Sequence, residues 1–375
     1  MFKKILKIAT CGLSILIVVS SFARLPEKDS KDKDALLRRN YLLSALDARK
    51  TFFRSEDIQF AGEWTLVTYS MATFALTNLC MKHPELVEES AKAIASWIEI
   101  CLGPDVRRFD EREWHENPLD AVVLRGDEGH IGYYGHVNLM LGCYALLVRD
   151  SRFRELHEQM SEAIARRMRR YPHRHVETYP GQNYPPDNTV SVASLSIAGK
   201  VLGESYSGLI QEWITKTKKL AQTSSGLVPF RIDTFTGKPV QFARGSNNGW
   251  NSFFLPLIDP VFAREQFFLL KKLYGKEALG FGVVKEFPSG HWFTMDCDTG
   301  PVIFGLGATA SAFSIAGAER FGDDVFRTQL LRSFELLATT ITQGSRRRYA
   351  VTPVLGDAIL LAMKTACPWQ PLWKK

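Results

Sequence analysis

Helical periodicity runs through this chain in two kinds that alternate. Six segments are apolar and rich in small residues on every side. They start near Glu63, Gly132, Asp187, Asn247, Pro301 and Pro353. Each follows an amphipathic, charge-flecked segment, over Asp34–Phe53, Pro84–Cys101, Ser151–Arg170, Ser205–Gln222, Pro260–Tyr274 and Asp323–Thr342. A helix apolar all round belongs inside a fold, and one with a charged face belongs outside. Six inner and six outer helices in strict alternation predict an all-α fold, an (α/α)6 toroid of six helical hairpins. An open solenoid of the TPR or HEAT type has shorter, more regular repeats. Here the spacing of inner helices drifts between about 50 and 70 residues.

Long connections intervene at Gly103–Ile131, Tyr171–Pro186, Thr223–Ser246, Gly275–Gly300 and Gln343–Thr352. Connections of that length inside a compact domain usually carry function. All of them precede inner helices, so a closed ring gathers them on one face, over the mouth of the central cavity. The active site is expected there.

The first residues, MFKKILKIATCGLSILIVVSSFA, have a basic start, an apolar run from Ile8 to Val19 and small residues at Ser21 and Ala23. That pattern predicts a secretory signal peptide over 1–23, cleaved after Ala23, with 24–375 as one barrel domain. An uncleaved membrane anchor is the alternative, since the run is only slightly short of a span. The expected location is periplasmic or secreted. The remaining cysteines, Cys80, Cys101, Cys143, Cys297 and Cys367, are odd in number and nominate neither a disulfide nor a zinc site.

The formal charge of +7 includes three leader lysines and two at the very end, Lys374 and Lys375. Such a thin excess argues against nucleic acid as a partner. Twenty-four Phe, eleven Tyr and eight Trp fit a small-molecule pocket better. No P-loop, dinucleotide fingerprint, G-x-S-x-G elbow or H-E-x-x-H is present, so the expectation is cofactor-free acid–base chemistry with no metal.

Candidate site residues sit where connections enter inner helices. In GHIGYYGHVNLM, His136 follows Tyr133 by three residues, so the two share a helix face. A histidine facing a cavity can shuttle a proton; one in the core is simply hydrogen-bonded to a carbonyl. In YPGQNYPPDN, Pro185 and Pro186 force extended backbone and put Asp187 at an N-cap position, flanked by Tyr179 and Tyr184. Capping alone explains that aspartate, yet its carboxylate also faces the cavity. Of Asp296 and Asp298, in WFTMDCDTGP, one is expected to cap the fifth inner helix and leave the other free. Arg244 and Trp250, in ARGSNNGW, offer a cation and an aromatic wall.

The segments GYYGHVNLMLGCYALLVRDSRF, NYPPDNTVSVASLSIAGKVLG, DPVFAREQFFLLKKLYG and GLGATASAFSIAGAERFGD resemble linalool dehydratase/isomerase in order and spacing. The resemblance covers most of the chain after Leu42, and G-H-x-N-L-M is its most specific part. It implies an (α/α)6 barrel exported to the periplasm that hydrates, dehydrates and isomerises small terpene alcohols without a cofactor. The family's catalytic aspartate matches Asp47, its pocket histidine His136 and the preceding tyrosine Tyr133. A tyrosine six residues after the aspartate is Phe53 here. The family's two pocket cysteines are absent, and their segment aligns with Tyr179 and Asp187.

The leading expectation is therefore a hydro-lyase or isomerase acting on a small terpene-like alcohol, with Asp47, His136 and Asp187 catalytic. Phe53, Tyr133, Tyr179, Tyr184, Arg244, Trp250, Asp296 and Asp298 are expected to bind substrate. The alternatives are a carbohydrate-active (α/α)6 enzyme, either glycoside hydrolase or sugar epimerase, and a non-catalytic periplasmic binder. The expected partner is a small molecule, and a homo-oligomer is possible.

Overall fold

The computed structural model describes residues 31–46, 58–123, 128–223, 225–288, 296, 299–300 and 302–373. Asp47, Phe53 and Asp298 lie outside the described residues. Six helices line the inside of a ring: α2 (Ile58–Lys82), α6 (Ile131–Leu147), α8 (Pro185–Leu202), α10 (Gly245–Phe254), α12 (Ala308–Phe321) and α14 (Val354–Lys364). Outside them lie α1 (Lys31–Ala45), α3 (Val87–Leu102), α7 (Arg154–Arg170), α9 (Ser207–Gln222), α11 (Pro260–Tyr274) and α13 (Asp324–Ala338). Each inner helix packs on the next, and α14 returns to α2, which closes the circle. The alternation read from the sequence is the architecture.

Small residues let the inner helices approach closely. A Cβ at Gly135 of α6 would stand 2.4 Å from Ser191 Oγ on α8, and one at Gly142 would stand 2.8 Å from Ile197. Between them, Asn138 donates to Ser161 Oγ at 3.0 Å and Ser194 Oγ at 2.9 Å, tying α6 to both α7 and α8. A buried amide satisfied on two sides fixes one register between three helices. Outer helices begin on side-chain caps where the sequence provides them. Asp259 accepts from the backbone of Val261 and Phe262, and Asp323 from Phe326.

Two features seal the ring. Asp34 of α1 is buried and meets Arg38, Arg347 and Lys364, so α1 is clamped onto α14 and the last hairpin. At the C-terminal end of the inner helices, the tail folds under the barrel. Trp369 Nε1 donates to Asn78 Oδ1 at 2.7 Å, and its ring packs on Phe74 and Phe253. Trp373 Nε1 donates to the Ala145 carbonyl at 2.7 Å. The lower half of the barrel axis is thereby filled with aromatic rings.

The connections are less plain than loops. Gly103–Ile131 contains two short helices, α4 (Pro104–Trp114) and α5 (Pro118–Val123). Eight short strands decorate the others: β1 (Arg231–Ile232), β2 (Pro239–Gln241), β3 (Gly275–Ala278), β4 (Phe281–Lys285), β5 (Val302–Ile303), β6 (Leu306–Gly307), β7 (Thr340–Gln343) and β8 (Arg346–Tyr349). They pair antiparallel as β1–β2, β3-β4-β6-β5 and β7–β8. The fifth inner helix begins at Ala308 rather than near Pro301, because Leu306–Gly307 pairs with β4 and Val302–Ile303 pairs with Leu306–Gly307 instead. The sixth outer helix stops at Ala338, where the β-branched run Thr339–Thr342 turns to strand.

Among the described residues, Cys80, Cys101, Cys143 and Cys367 are free thiols, and no helix is long and apolar enough to cross a membrane.

Candidate active site

All inner helices point their N-termini to the face that carries the connections, and four of them build a cluster there. His136, one and a half turns into α6, sends Nδ1 to Ser70 Oγ of α2 at 2.8 Å. The imidazole packs edge-on to Trp250 of α10 (ring centroids 5.5 Å apart) and stacks over Phe74 of α2 (6.4 Å). Burial among these rings pushes the His136 pKa down to about 3. The ring is therefore neutral at any physiological pH. Among the described residues no hydrogen bond to its Nε2 is seen. The start of α6 is held by a neighbouring histidine. His130, at the N-cap in left-handed backbone (φ 52°), places Nδ1 2.5 Å from Asp110 Oδ2.

Asp187 is not the N-cap of α8. That position is Tyr184, and Pro185 and Pro186 occupy the first two helical positions, where their missing N–H groups cost nothing. Asp187 falls at the third position, half-buried, in the favourable field of the helix N-terminus. Its Oδ2 accepts from Thr178 Oγ1 at 2.7 Å. Thr178 stands in a connection that Asn188 staples to α8. Asn188 Oδ1 accepts from Val176 N at 2.7 Å, and its Nδ2 donates to the Val176 carbonyl at 2.9 Å. The carboxylate is thus aimed by a hydrogen bond from the connection and does not occupy the N-cap position.

Aromatic rings and an ion pair complete the rim. Trp250, also half-buried, donates from Nε1 to the Pro186 carbonyl at 3.3 Å, which joins the His136 and Asp187 halves of the site. Tyr184 packs on Phe230 (5.1 Å) and donates to Gln182 Oε1. Arg244, the N-cap residue of α10, lies 3.8 Å over the Phe230 ring and binds Asp296 Oδ2 at 2.5 Å. Asp296 also accepts from Thr299 N, which folds its own turn, and it is remote from the start of α12 at Ala308. The N-cap of that helix is Gly307, not Asp296.

The structure therefore brings His136, Asp187, Tyr184, Arg244, Trp250 and Asp296 to one face. Tyr179 is there too, half-buried in the turn that ends at Gln182. Tyr133 departs from the expectation that it shares the His136 face toward the cavity. Its hydroxyl is fully buried and donates to the Cys101 carbonyl at the end of α3, 2.9 Å away, in the seam between inner and outer layers. A three-residue offset on a helix is a rotation of about 60°, enough to turn Tyr133 off the axis.

Three polar residues of the site went unread in the sequence. Ser70 and Thr178 carry no local signal, being small hydroxyls in an apolar helix and a turn. Glu286 does carry one, since strand alternation in FGVVKEF turns Gly282, Val284 and Glu286 inward. It accepts from Ser246 Oγ at 2.6 Å and Ser246 N at 3.1 Å, holding the first turn of α10. Burial raises its pKa to about 7 despite those bonds.

Among the described residues no group of three or more His, Cys, Asp or Glu is placed to hold a metal. A concavity of about 250 Å³ beneath the β1–β2 hairpin, lined by Gly181, Arg231, Asp233 and Gln241, extends the rim past Tyr184. A larger groove of about 720 Å³, between Pro84–Ala95 and Tyr144–Arg152, lies at the opposite end of α6, away from this chemistry.

No protein-family model matches the chain. Solved structures do. The unsaturated glucuronyl hydrolase from Bacillus sp. GL1, described as responsible for the degradation of glycosaminoglycan, superposes with a TM-score of 0.53 at 12% identity. The match spans 88% of this chain and 94% of that one. A UGL variant with an Asp-to-Asn change, with dGlcA-Glc-Rha-Glc, gives 0.53 at 15% identity over 90% and 96%. The chain is an α/α toroid. At that identity the likeness carries the fold alone, and the neighbours named are carbohydrate-active enzymes with no sign of linalool chemistry.

Proposed function

We propose that this toroid is a carbohydrate-active enzyme that works without a cofactor on a sugar held at the mouth, with Asp187 as its acid–base group. The observation that carries the reading is a half-buried carboxylate aimed by Thr178, on a helix start that also carries Tyr184 and that Trp250 joins through the Pro186 carbonyl. Sugars present C–H faces that stack on such rings and hydroxyls that bond such carboxylates. Arg244 and Asp296, reached from Tyr184 through the Phe230 ring, supply a cation and a second carboxylate, and His136 supplies a neutral acceptor. Glycoside hydrolysis needs two carboxyl groups flanking the bond; epimerisation needs one group to remove a proton and one to return it. The toroid of the neighbours, whose named substrates are glycans, supports the same class.

A second reading has one observation in its favour. The walls around His136 are Phe74 and Trp250, apolar enough to suit a terpene-like alcohol, in line with the linalool dehydratase/isomerase resemblance. In it Asp187 protonates the leaving hydroxyl. One screen decides between them: purified protein lacking residues 1–23, offered unsaturated uronyl oligosaccharides, neutral glycans and small tertiary alcohols. Turnover of a glycan, lost in Asp187→Asn, is the expected result. Turnover of alcohols alone would replace it with the second reading. We propose further that the protein is exported, and N-terminal sequencing of periplasmic material should begin near Arg24.

A further inference from the structure

Ser70 and His136 share one hydrogen bond whose direction depends on the tautomer of the ring. Ser70 is fully buried. Its Oγ lies 3.0 Å from the Val67 carbonyl oxygen, one turn back in α2, and 2.8 Å from His136 Nδ1. A hydroxyl has one proton to give. Aimed at Nδ1, it leaves two oxygens facing each other at 3.0 Å with nothing between them. Aimed at Val67, it satisfies that contact, and the Oγ lone pair then receives a proton from Nδ1. We infer that Ser70 is a positioning residue that locks His136 as the Nδ1–H tautomer, so that Nε2 carries the ring's lone pair.

The partner of Nε2 must then be a donor. A hydroxyl group of the substrate fits, because it can donate a hydrogen bond to Nε2 while the ring stays neutral. A carboxylate oxygen does not fit, since it would bring a lone pair against a lone pair. The strong depression of the His136 pKa agrees, as the ring offers no second proton with which to bind an anion. A substrate that carries both hydroxyls and a carboxylate would thus turn a hydroxyl toward His136 and its carboxylate toward the Arg244 side of the rim. This consequence rests on the active site proposed above; the tautomer itself does not.

The test is nitrogen NMR of the full mature chain with ¹⁵N-labelled histidine, without any substrate. The His136 spin system is the one that disappears in His136→Gln. The expected spectrum has Nδ1 in the protonated range and Nε2 in the unprotonated range, unchanged between pH 8 and about 5, since a pKa far below leaves the ring neutral throughout. A proton on Nε2 in the wild type would overturn the inference. Ser70→Thr keeps the hydroxyl and should keep the tautomer. Ser70→Ala removes the acceptor and should move the proton toward Nε2; a folded alanine variant with the wild-type pattern would strip Ser70 of the role. Should that variant not fold, Ser70→Cys, a weak acceptor of similar size, makes the same comparison. A glycan screen that finds nothing leaves the tautomer seen by NMR unaffected, and a wrong tautomer leaves the glycan reading open.

Discussion

Thr178 and Asp187 lie nine residues apart across a double-proline turn, and the hydroxyl of the first donates to the carboxylate of the second at 2.7 Å. That bond separates orientation from capping, because Asp187 sits at the third helical position with Tyr184 at the cap. Asp187→Asn should therefore leave the fold intact. Its stability cost is the lost charge–dipole attraction, about 0.3–1 kcal/mol. Activity on whichever substrate the screen finds should drop about a hundredfold or more, as for a lost general acid or base. Urea denaturation and initial rates on the same preparation measure both.

Glu286 makes stability depend on pH. Its folded-state pKa is raised to about 7, so the folded chain holds a proton that the unfolded chain releases above about 4.5. The sign follows: this contribution is whole below about pH 4.5 and is lost as pH rises through 7. Glu286→Gln can still bond Ser246 and has no proton to lose. Unfolding free energy measured at pH 5 and pH 8 should fall between those values in the wild type and fall less in the variant, by a difference of a few kcal/mol at most.

Asp34 works in the opposite direction. Burial alone would raise its pKa, but Lys364 and Arg38 outweigh burial and hold it well below the usual carboxylate range. Its contribution is present above about pH 4 and is lost on further acidification. Asp34→Asn leaves Lys364 and Arg38 buried without their shared anion. Breaking a buried pair from one side costs about 3–5 kcal/mol. Because α1 meets α14 through these contacts, faster proteolysis within residues 31–45 should accompany the loss. A variant as stable as the wild type would show that the ring closes without this clamp.

Trp369 tests the aromatic floor. Its indole fills the space between Phe74 and Phe253 and satisfies Asn78. Trp369→Ala should cost about 3–5 kcal/mol, the range for emptying a buried aromatic site. The cavity it opens lies beneath His136, so near-ultraviolet circular dichroism should change along with the melting temperature.

The sequence by itself determined the ring. Burial has a period, and an all-round apolar helix such as Ile131–Leu147 beside a one-sided helix such as Arg154–Arg170 leaves little choice about which lies inside. Short-range chemistry also placed His136, Asp187, Arg244 and Trp250 near inner-helix starts, hence on one face. What only the tertiary structure decided is where each side chain points and what it meets. Tyr133 and His136 are three residues apart, yet one bonds Cys101 in the outer seam and the other Ser70 at the axis. Asp187 read as a cap because two prolines precede it; Thr178, which aims it instead, reaches it only through the fold of the connection that Asn188 pins. The strands Val302–Ile303, Leu306–Gly307 and Thr340–Gln343 sat inside helical patterns and became strands because β6, β4 and β8 offered them partners. Periodicity is a property of neighbours along the chain. Hydrogen-bond partners and rotations of about 60° around a helix axis are properties of neighbours in space, and no local pattern encodes them.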